Sequence, residues 1–270
     1  MFPAAIGDQP DTYLHQFGEV FARFGGDTQD SGNVSYGVQQ AGRRYFVKTA
    51  GDPADPEPST GFERRVEILR NAARLADSVR HPLLPEYHGL IESPAGPLLV
   101  YEWRDGELLG RPREPGEDSA AQRFRALPVE QIVTALDQLY DLHDLLTTQG
   151  WVEGDFYDGS LLYDFGTRSL TVIDLDSYGF GAYRNDMGRM FRSTRFMAPE
   201  EFSRGAPIDD RTTAFVMART ALVFLSDGTL DRPAFRGSDA LYAVLQEAVT
   251  TRFPSYERFY AAWRAASSTR

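Results

Sequence analysis

Four short stretches of the chain carry side chains that could do chemistry. The first is Tyr45-Phe46-Val47-Lys48, a β-prone run that follows the glycine-bearing stretch Gly32-Asn33-Val34-Ser35-Tyr36-Gly37. A lysine fixed there could present an ammonium to phosphate oxygens. The same lysine also fits a strand end facing water, where most lysines lie. The second is Glu153-Gly154-Asp155-Phe156-Tyr157-Asp158-Gly159-Ser160. A carboxylate in a loop between a helix and a strand can orient a hydroxyl and accept its proton. Asp and Gly are also the ordinary residues of turns. The third is Val172-Ile173-Asp174-Leu175-Asp176. In an extended segment, residues i and i+2 point the same way. Asp174 and Asp176 would then offer paired oxygens of the kind hard cations such as Mg²⁺ prefer, or would end a strand as solvated acids. The fourth is Ser193-Thr194-Arg195-Phe196-Met197-Ala198-Pro199-Glu200-Glu201. Pro199 and its acids suit the first turn of a helix, which does not preclude a functional part.

These residues need elements to hold them. Val34–Gln39 and Arg43–Thr49 are predicted as a hairpin turning at Gln40, Ala41 and Gly42. Phe62–Val79 is predicted as a helix, because Phe62, Val66, Leu69, Ala73 and Ala76 recur near helical spacing. Leu98–Trp103 is predicted as a strand. Val129–Gln149 is predicted as a helix with Ile132, Ala135, Leu139, Leu142 and Leu146 on one face. Two short strands, Ser160–Tyr163 and Leu170–Ile173, are expected to turn around Gly166. Helices are expected again over Thr212–Leu225, Asp239–Thr250 and Phe253–Ala265. Gly51–Gly61 and Arg104–Pro128 are charged, Gly- and Pro-bearing stretches expected as surface loops. The fold class is therefore α+β, as a single domain over 1–270 with its seam near Trp103. Residues 1–103 form a strand-rich part with one main helix, and 104–270 a mostly helical, rather short part.

Composition narrows the chemistry. The chain of 270 residues is 42% hydrophobic and 25% charged, the balance of a globular protein. It has no cysteine, which excludes disulfides, thiol catalysis and Cys-ligated zinc or iron–sulfur sites. Its net charge of −11 argues against a broad nucleic-acid surface. The four histidines are too scattered for a His-rich metal site. No apolar run approaches the ~20 residues of a membrane span. Met1–Gln9 has neither the basic nor the apolar region of a secretory signal, so a cytoplasmic location is expected.

Taken in order, the four stretches resemble the protein kinase superfamily over most of the chain. Val47-Lys48 resembles the family's strand-end lysine, and Gly154-Asp155 its catalytic loop. Asp174 matches the first residue of the Asp-Phe-Gly metal motif, and Met197-Ala198-Pro199-Glu200 matches the Ala-Pro-Glu motif. His81-Pro82, Leu142-His143 and the hinge-like Val100-Tyr101-Glu102-Trp103 also match. The stretches Asp155–Ser160, Asp174–Asp176 and Arg195–Glu201 resemble a divergent group of bacterial Ser/Thr-kinase-like proteins. The resemblance implies a bilobal fold and phosphoryl transfer from ATP with Mg²⁺ or Mn²⁺. It implies that Lys48 holds phosphates, Asp155 orients the acceptor hydroxyl and Asp174 binds the metal, with Ser160 and Asp176 as further ligands. Gly32 and Gly37 would belong to the phosphate-covering loop. Glu102, Trp103 and Arg104 would meet the adenine edge, and Glu107 the ribose.

The departures from the family pattern bear on the same residues. Gly154 replaces the arginine found before the catalytic aspartate in kinases switched by activation-loop phosphate. Glu153 replaces a histidine, Tyr157 a lysine, and Ser160 the asparagine that holds a second metal ion. Asp158 and Asp176 are the carboxylates available to compensate. Val34 replaces the middle glycine of the loop, and Thr213 stands near the position where the family carries a structural aspartate, in the helix after the Ala-Pro-Glu motif. Glu63 and Glu67 are both candidates to pair with Lys48, yet both fall on the polar side of their helix, where Arg64 and Arg70 could pair with them. Arg65 instead falls within the apolar arc.

The resulting expectation is a kinase acting on a protein Ser or Thr hydroxyl, with a protein substrate or regulatory partner and no nucleic-acid or membrane partner. A small-molecule phosphotransferase is the alternative suggested by Glu153-Gly154-Asp155, which resembles the His-Gly-Asp loop of aminoglycoside-phosphotransferase-like enzymes. A pseudokinase that binds nucleotide or a partner is the alternative suggested by the altered positions.

Overall fold

The structure is a computed structural model that describes residues 2–26, 32–54, 60–110, 119–190 and 193–268. The chain divides into two compact units, Met1–Arg104 and Asp105–Arg270.

The first unit runs α1 (Pro10–Phe17), β1 (Glu19–Phe24), β2 (Val34–Gln40), β3 (Arg43–Thr49), α2 (Phe62–Ser78), β4 (Tyr87–Ile91) and β5 (Leu98–Glu102). The strands form one antiparallel sheet in the order β1-β2-β3-β5-β4. The β2–β3 hairpin turns through Ala41 and Gly42, both at positive φ (50° and 78°). That conformation matches the twist of the flanking strands. Alternation along the strands gives the sheet two apolar faces. Tyr36, Val38, Tyr45, Val47, Ile91, Leu98 and Val100 pack with Leu14 of α1. On the other face Leu99 packs with Leu69, Ala72 and Ala73 of α2. The helix runs as expected from Phe62, and its buried side includes three alanines that let it lie close to the sheet.

The second unit contains β6 (Glu107–Leu108), α3 (Ala120–Ala126), α4 (Val129–Thr148) and β7 (Trp151–Val152). A 3-10 turn (Asp158–Ser160) leads into β8 (Leu161–Asp164) and β9 (Ser169–Val172). Then come β10 (Gly179–Phe180), β11 (Tyr183–Arg184), a 3-10 turn (Pro199–Phe202), β12 (Pro207–Ile208), α5 (Asp210–Ser226), α6 (Asp239–Thr250) and α7 (Tyr256–Ser267). β6, β8 and β9 form a three-stranded sheet, while β7–β10 and β11–β12 are short antiparallel pairs. The β8–β9 turn is fixed by Asp164, whose carboxylate accepts from the N–H groups of Gly166 and Thr167.

The core of this unit is built around α5, which is buried on nearly all sides. Tyr140 of α4 lies 4.7 Å from the Trp263 ring and 5.3 Å from the Phe259 ring, both on α7. Its hydroxyl donates to the Met217 carbonyl of α5 at 2.8 Å. The Tyr256 hydroxyl donates to the Tyr140 carbonyl at 2.9 Å, and the Trp263 indole N–H to Asp137 at 2.6 Å. Buried polar tips are thus satisfied while their rings fill the core.

The α+β class is observed, with seven α-helices among the described residues. Arg104–Pro128 is not wholly a loop, because it holds β6 and α3. Ser119 and Gln122 form a reciprocal cap, and α3 buries Ala121 and Phe124. A helix that short leaves too few inward positions to show a period. Gly51–Gly61 contains 55–59, and Arg104–Pro128 contains 111–118; these lie outside the described residues.

Candidate functional site

Within the first unit, Lys48 stands across from Ser35 on β2 and Leu99 on β5. Directly opposed residues share a sheet face, so Lys48 belongs to the α2-packed side. It is only 9% exposed and is not a solvated strand-end lysine. Glu63 and Glu67 lie on the exposed side of α2. Glu67 accepts from Arg64 at 3.0 Å, and Arg70 pairs with Glu92 at 2.7 Å. Helix phase explains this, since Arg65 holds the inward position and is 1% exposed. Its guanidinium donates to the Asp52 carbonyl at 3.0 Å and lies 5.6 Å from the Phe62 ring centre.

The glycine positions differ in their surroundings. Gly32 leads into β2 at φ 86°. A Cβ at Gly37 would lie 2.7 Å from the Phe21 ring and 2.8 Å from the Trp103 indole. The space beside Gly37 is thus taken by this chain's own aromatic rings. Trp103 also lies 6.3 Å from Phe24 and 6.2 Å from Phe46. Its backbone N–H donates to the Arg44 carbonyl at 3.1 Å, and that of Glu102 to the Glu86 carbonyl at 2.8 Å. Two backbone donors expected to face an adenine edge therefore have protein partners. The Glu102 carboxylate accepts from Arg104 at 2.9 Å.

Within the second unit, two loops meet. Asp155 follows β7 and Asp174 follows β9. Both hold left-handed backbone, at φ 65° and 64°, a conformation costing non-glycine residues about 1–2 kcal/mol. Asp174 is exposed while Asp176 is 8% exposed. The paired-face expectation for these two acids is corrected: the left-handed Asp174 breaks the extended alternation on which it rested. The Ile173 N–H donates to the Ser160 carbonyl at 2.9 Å, tying the residue before Asp174 to the end of the Asp155 loop. A Cβ at Gly154 would lie 2.2 Å from the Ser177 carbonyl oxygen, so only glycine permits this approach of the two loops.

The Asp155 loop is pinned on both sides. The Glu153 N–H donates to the Thr213 hydroxyl of α5 at 3.2 Å. Phe156 is fully buried against the His143 ring at 5.2 Å. His143 in turn bonds the Tyr178 hydroxyl and the Leu139 carbonyl, each at 2.8 Å. Asp158, 2% exposed, pairs with Arg195 at 2.5 Å. Its carboxylate is therefore already engaged, which counts against Asp158 as a compensating metal ligand. Ser160 is fully buried, and its hydroxyl receives a long 3.5 Å contact from the Tyr157 N–H. Glu107 lies on β6, where Arg123 of α3 pairs with it.

The Pro199–Phe202 turn is anchored by charge. Glu200 accepts from Arg252 at 2.7 Å and 3.0 Å, and from the Thr212 hydroxyl at 2.8 Å. Burial pushes the Glu200 carboxyl up, but these bonds more than offset it and hold it below its ordinary range. Arg195 and Arg252, 37 and 52 positions from their acidic partners, carry no sequence signal for these pairings.

Among the described residues, no three His, Asp or Glu side chains gather into a group able to hold a metal ion. Mg²⁺ commonly keeps several waters and takes one or two protein carboxylates alongside substrate phosphates. Asp174, which is exposed, fits that smaller donor set, whereas Asp176 is buried and does not share its face. No helix among the described residues is long and apolar enough to cross a membrane. No protein-family model matches the chain, and no curated protein matches it.

Proposed function

We propose that the chain is an ATP-dependent phosphotransferase with a bilobal protein-kinase-like fold, acting on a protein Ser or Thr hydroxyl. The observation that carries this reading is the pair of interlocked loops bearing Asp155 and Asp174. Each aspartate holds a left-handed backbone, and the loops meet where Gly154 abuts Ser177. Such strain is commonly maintained at functional sites.

In this reading the acceptor hydroxyl oxygen bonds to the γ-phosphorus of ATP as the bond from that phosphorus to the ADP oxygen breaks, ADP leaves, and Asp155 accepts the hydroxyl proton. Lys48 offsets phosphate charge from β3. Asp174 would hold Mg²⁺, which when bound neutralises charge on the phosphates. Thr213 keeps the Asp155 loop in place through the Glu153 N–H. The chemistry is positioning and charge neutralisation.

A second reading is a binding module without turnover. It is favoured by the protein partners of the Glu102 and Trp103 N–H groups, by the rings beside Gly37, and by the outward Glu63 and Glu67.

The test is ADP release from ATP with Mg²⁺ and then Mn²⁺, with a basic protein as acceptor and products checked by intact mass. Wild type is expected to turn over and phosphorylate the acceptor, and Asp155→Ala and Asp174→Ala to lose at least ~10²-fold. Turnover without protein phosphorylation would redirect the reading to a small-molecule acceptor. Absence of turnover with both metals would favour the binding module.

A further inference from the structure

Asp155 is held by neighbours on either side, and one anchor differs from the rest. Thr213 lies in the interior of the unit, 1% exposed, as do Phe156 and His143, both fully buried. The anchor at Asp158 reaches out to Arg195 in the segment before the Pro199–Phe202 turn. Asp158 opens the 3-10 turn that follows the Asp155 loop, and its carboxylate is 3% exposed. A carboxylate so buried needs a charged partner to stay ionised. Arg195 supplies that partner at 2.5 Å from a side chain itself 20% exposed.

Arg195 is held in turn. Its carbonyl accepts from Arg219 Nε of α5 at 2.7 Å, and its guanidinium lies 5.1 Å from the Phe196 ring centre. Thr194 beside it is exposed. One ion pair thus links the loop carrying Asp155 to a segment with a surface-facing residue, and through Arg219 to the buried helix α5.

We infer that Arg195 is a positioning residue for Asp155, acting through Asp158. It sets where the Asp155 carboxylate stands when the acceptor hydroxyl arrives, and it touches neither substrate nor reacting atoms. A substrate or modification that displaces the 193–198 segment reaches the proton acceptor by this route. The role rests on Asp155 being that acceptor.

The test compares Arg195→Gln, Arg195→Lys and the neutral pair Asp158→Asn with Arg195→Gln. The last removes the buried charge as well as the pairing and guards against simple unfolding. ADP release with Mg²⁺ is measured for kcat and for KM toward ATP, alongside a thermal melt of each sample. In Arg195→Gln and in the neutral pair, kcat is expected to fall roughly 10²-fold, the scale of a 1 Å misplacement. KM for ATP should stay within about twofold, because Arg195 binds no part of it. Arg195→Lys is expected to recover part of kcat, since it keeps the charge but not the planar fork.

If the folded variants keep wild-type kcat while only their melting temperature drops, Arg195 is structural alone and the inference is overturned. If kcat and KM change together, it is overturned as well. If wild type shows no Asp174-dependent ADP release, the proposed function falls and Arg195 loses its role with it.

Discussion

At the residue scale, the most demanding contact is that of Gly154. Its backbone does not need a left-handed φ; it needs the room a Cβ would take from the Ser177 carbonyl, 2.2 Å away. A methyl group there must push the two loops apart. Gly154→Ala is expected to cost about 1–3 kcal/mol, the usual penalty of overpacking, and to lower ADP release further than that loss explains. Gly7→Ala is the control, because nothing lies within 4 Å of its Cβ position. Thermal melts and the ADP assay on both variants check this. The replacement of arginine by Gly154 was visible in the sequence, but its reason was not. Ser177 is a polar loop residue whose carbonyl position no periodicity encodes. Lys48, Asp155 and Asp174 stood out by type and order, whereas their backbone conformations and the buried setting of Lys48 required the packed fold.

At the element scale, legibility followed the number of inward positions. α2 and α6 bury residues at helical spacing over several turns, and their limits are nearly those the sequence implied. The β2–β3 hairpin was announced by Gly42 between two β-prone runs. α1, β1 and β4 went unread: β1 alternates only between half-buried and exposed residues, a weak signal. Long-range pairs were equally silent. Glu200 and Arg252 join the Pro199–Phe202 turn to the stretch between α6 and α7, and Thr212 of α5 completes the junction. Removing the cation strands a half-buried carboxylate. Arg252→Gln is therefore expected to destabilise the chain by about 3 kcal/mol, read by urea denaturation. The pH dependence has a definite sign. The folded-state carboxyl of Glu200 lies below its ordinary 4.5, so its contribution is present above pH 4.5 and is lost as pH falls through the lowered value. Wild type should lose stability over that acid window, and Arg252→Gln should show less of this loss.

At the scale of the whole molecule, charge dominates. A net charge of −11 makes the folded chain repel itself. Raising salt from about 10 mM to about 150 mM shortens the screening length from about 30 Å to about 8 Å. The melting temperature is expected to rise on the order of 2 °C across that range, as measured by calorimetry. A fall instead would mean that attractive pairs such as Arg70–Glu92 outweigh the net repulsion. The same charge favours a basic acceptor protein at low salt.

The packing of Trp103 against Phe21, Phe24 and Phe46 also sorts the protein's natural fluorophores. Of its three tryptophans, Trp103 lies in the first unit, half-buried among phenylalanines. Trp151 and Trp263 lie in the second, at 4% and 0% exposure. Under excitation selective for tryptophan, a chain carrying Trp103→Phe would therefore emit from the second unit alone. Its difference from wild type would report the first unit, so the melting of each can be followed by its own light.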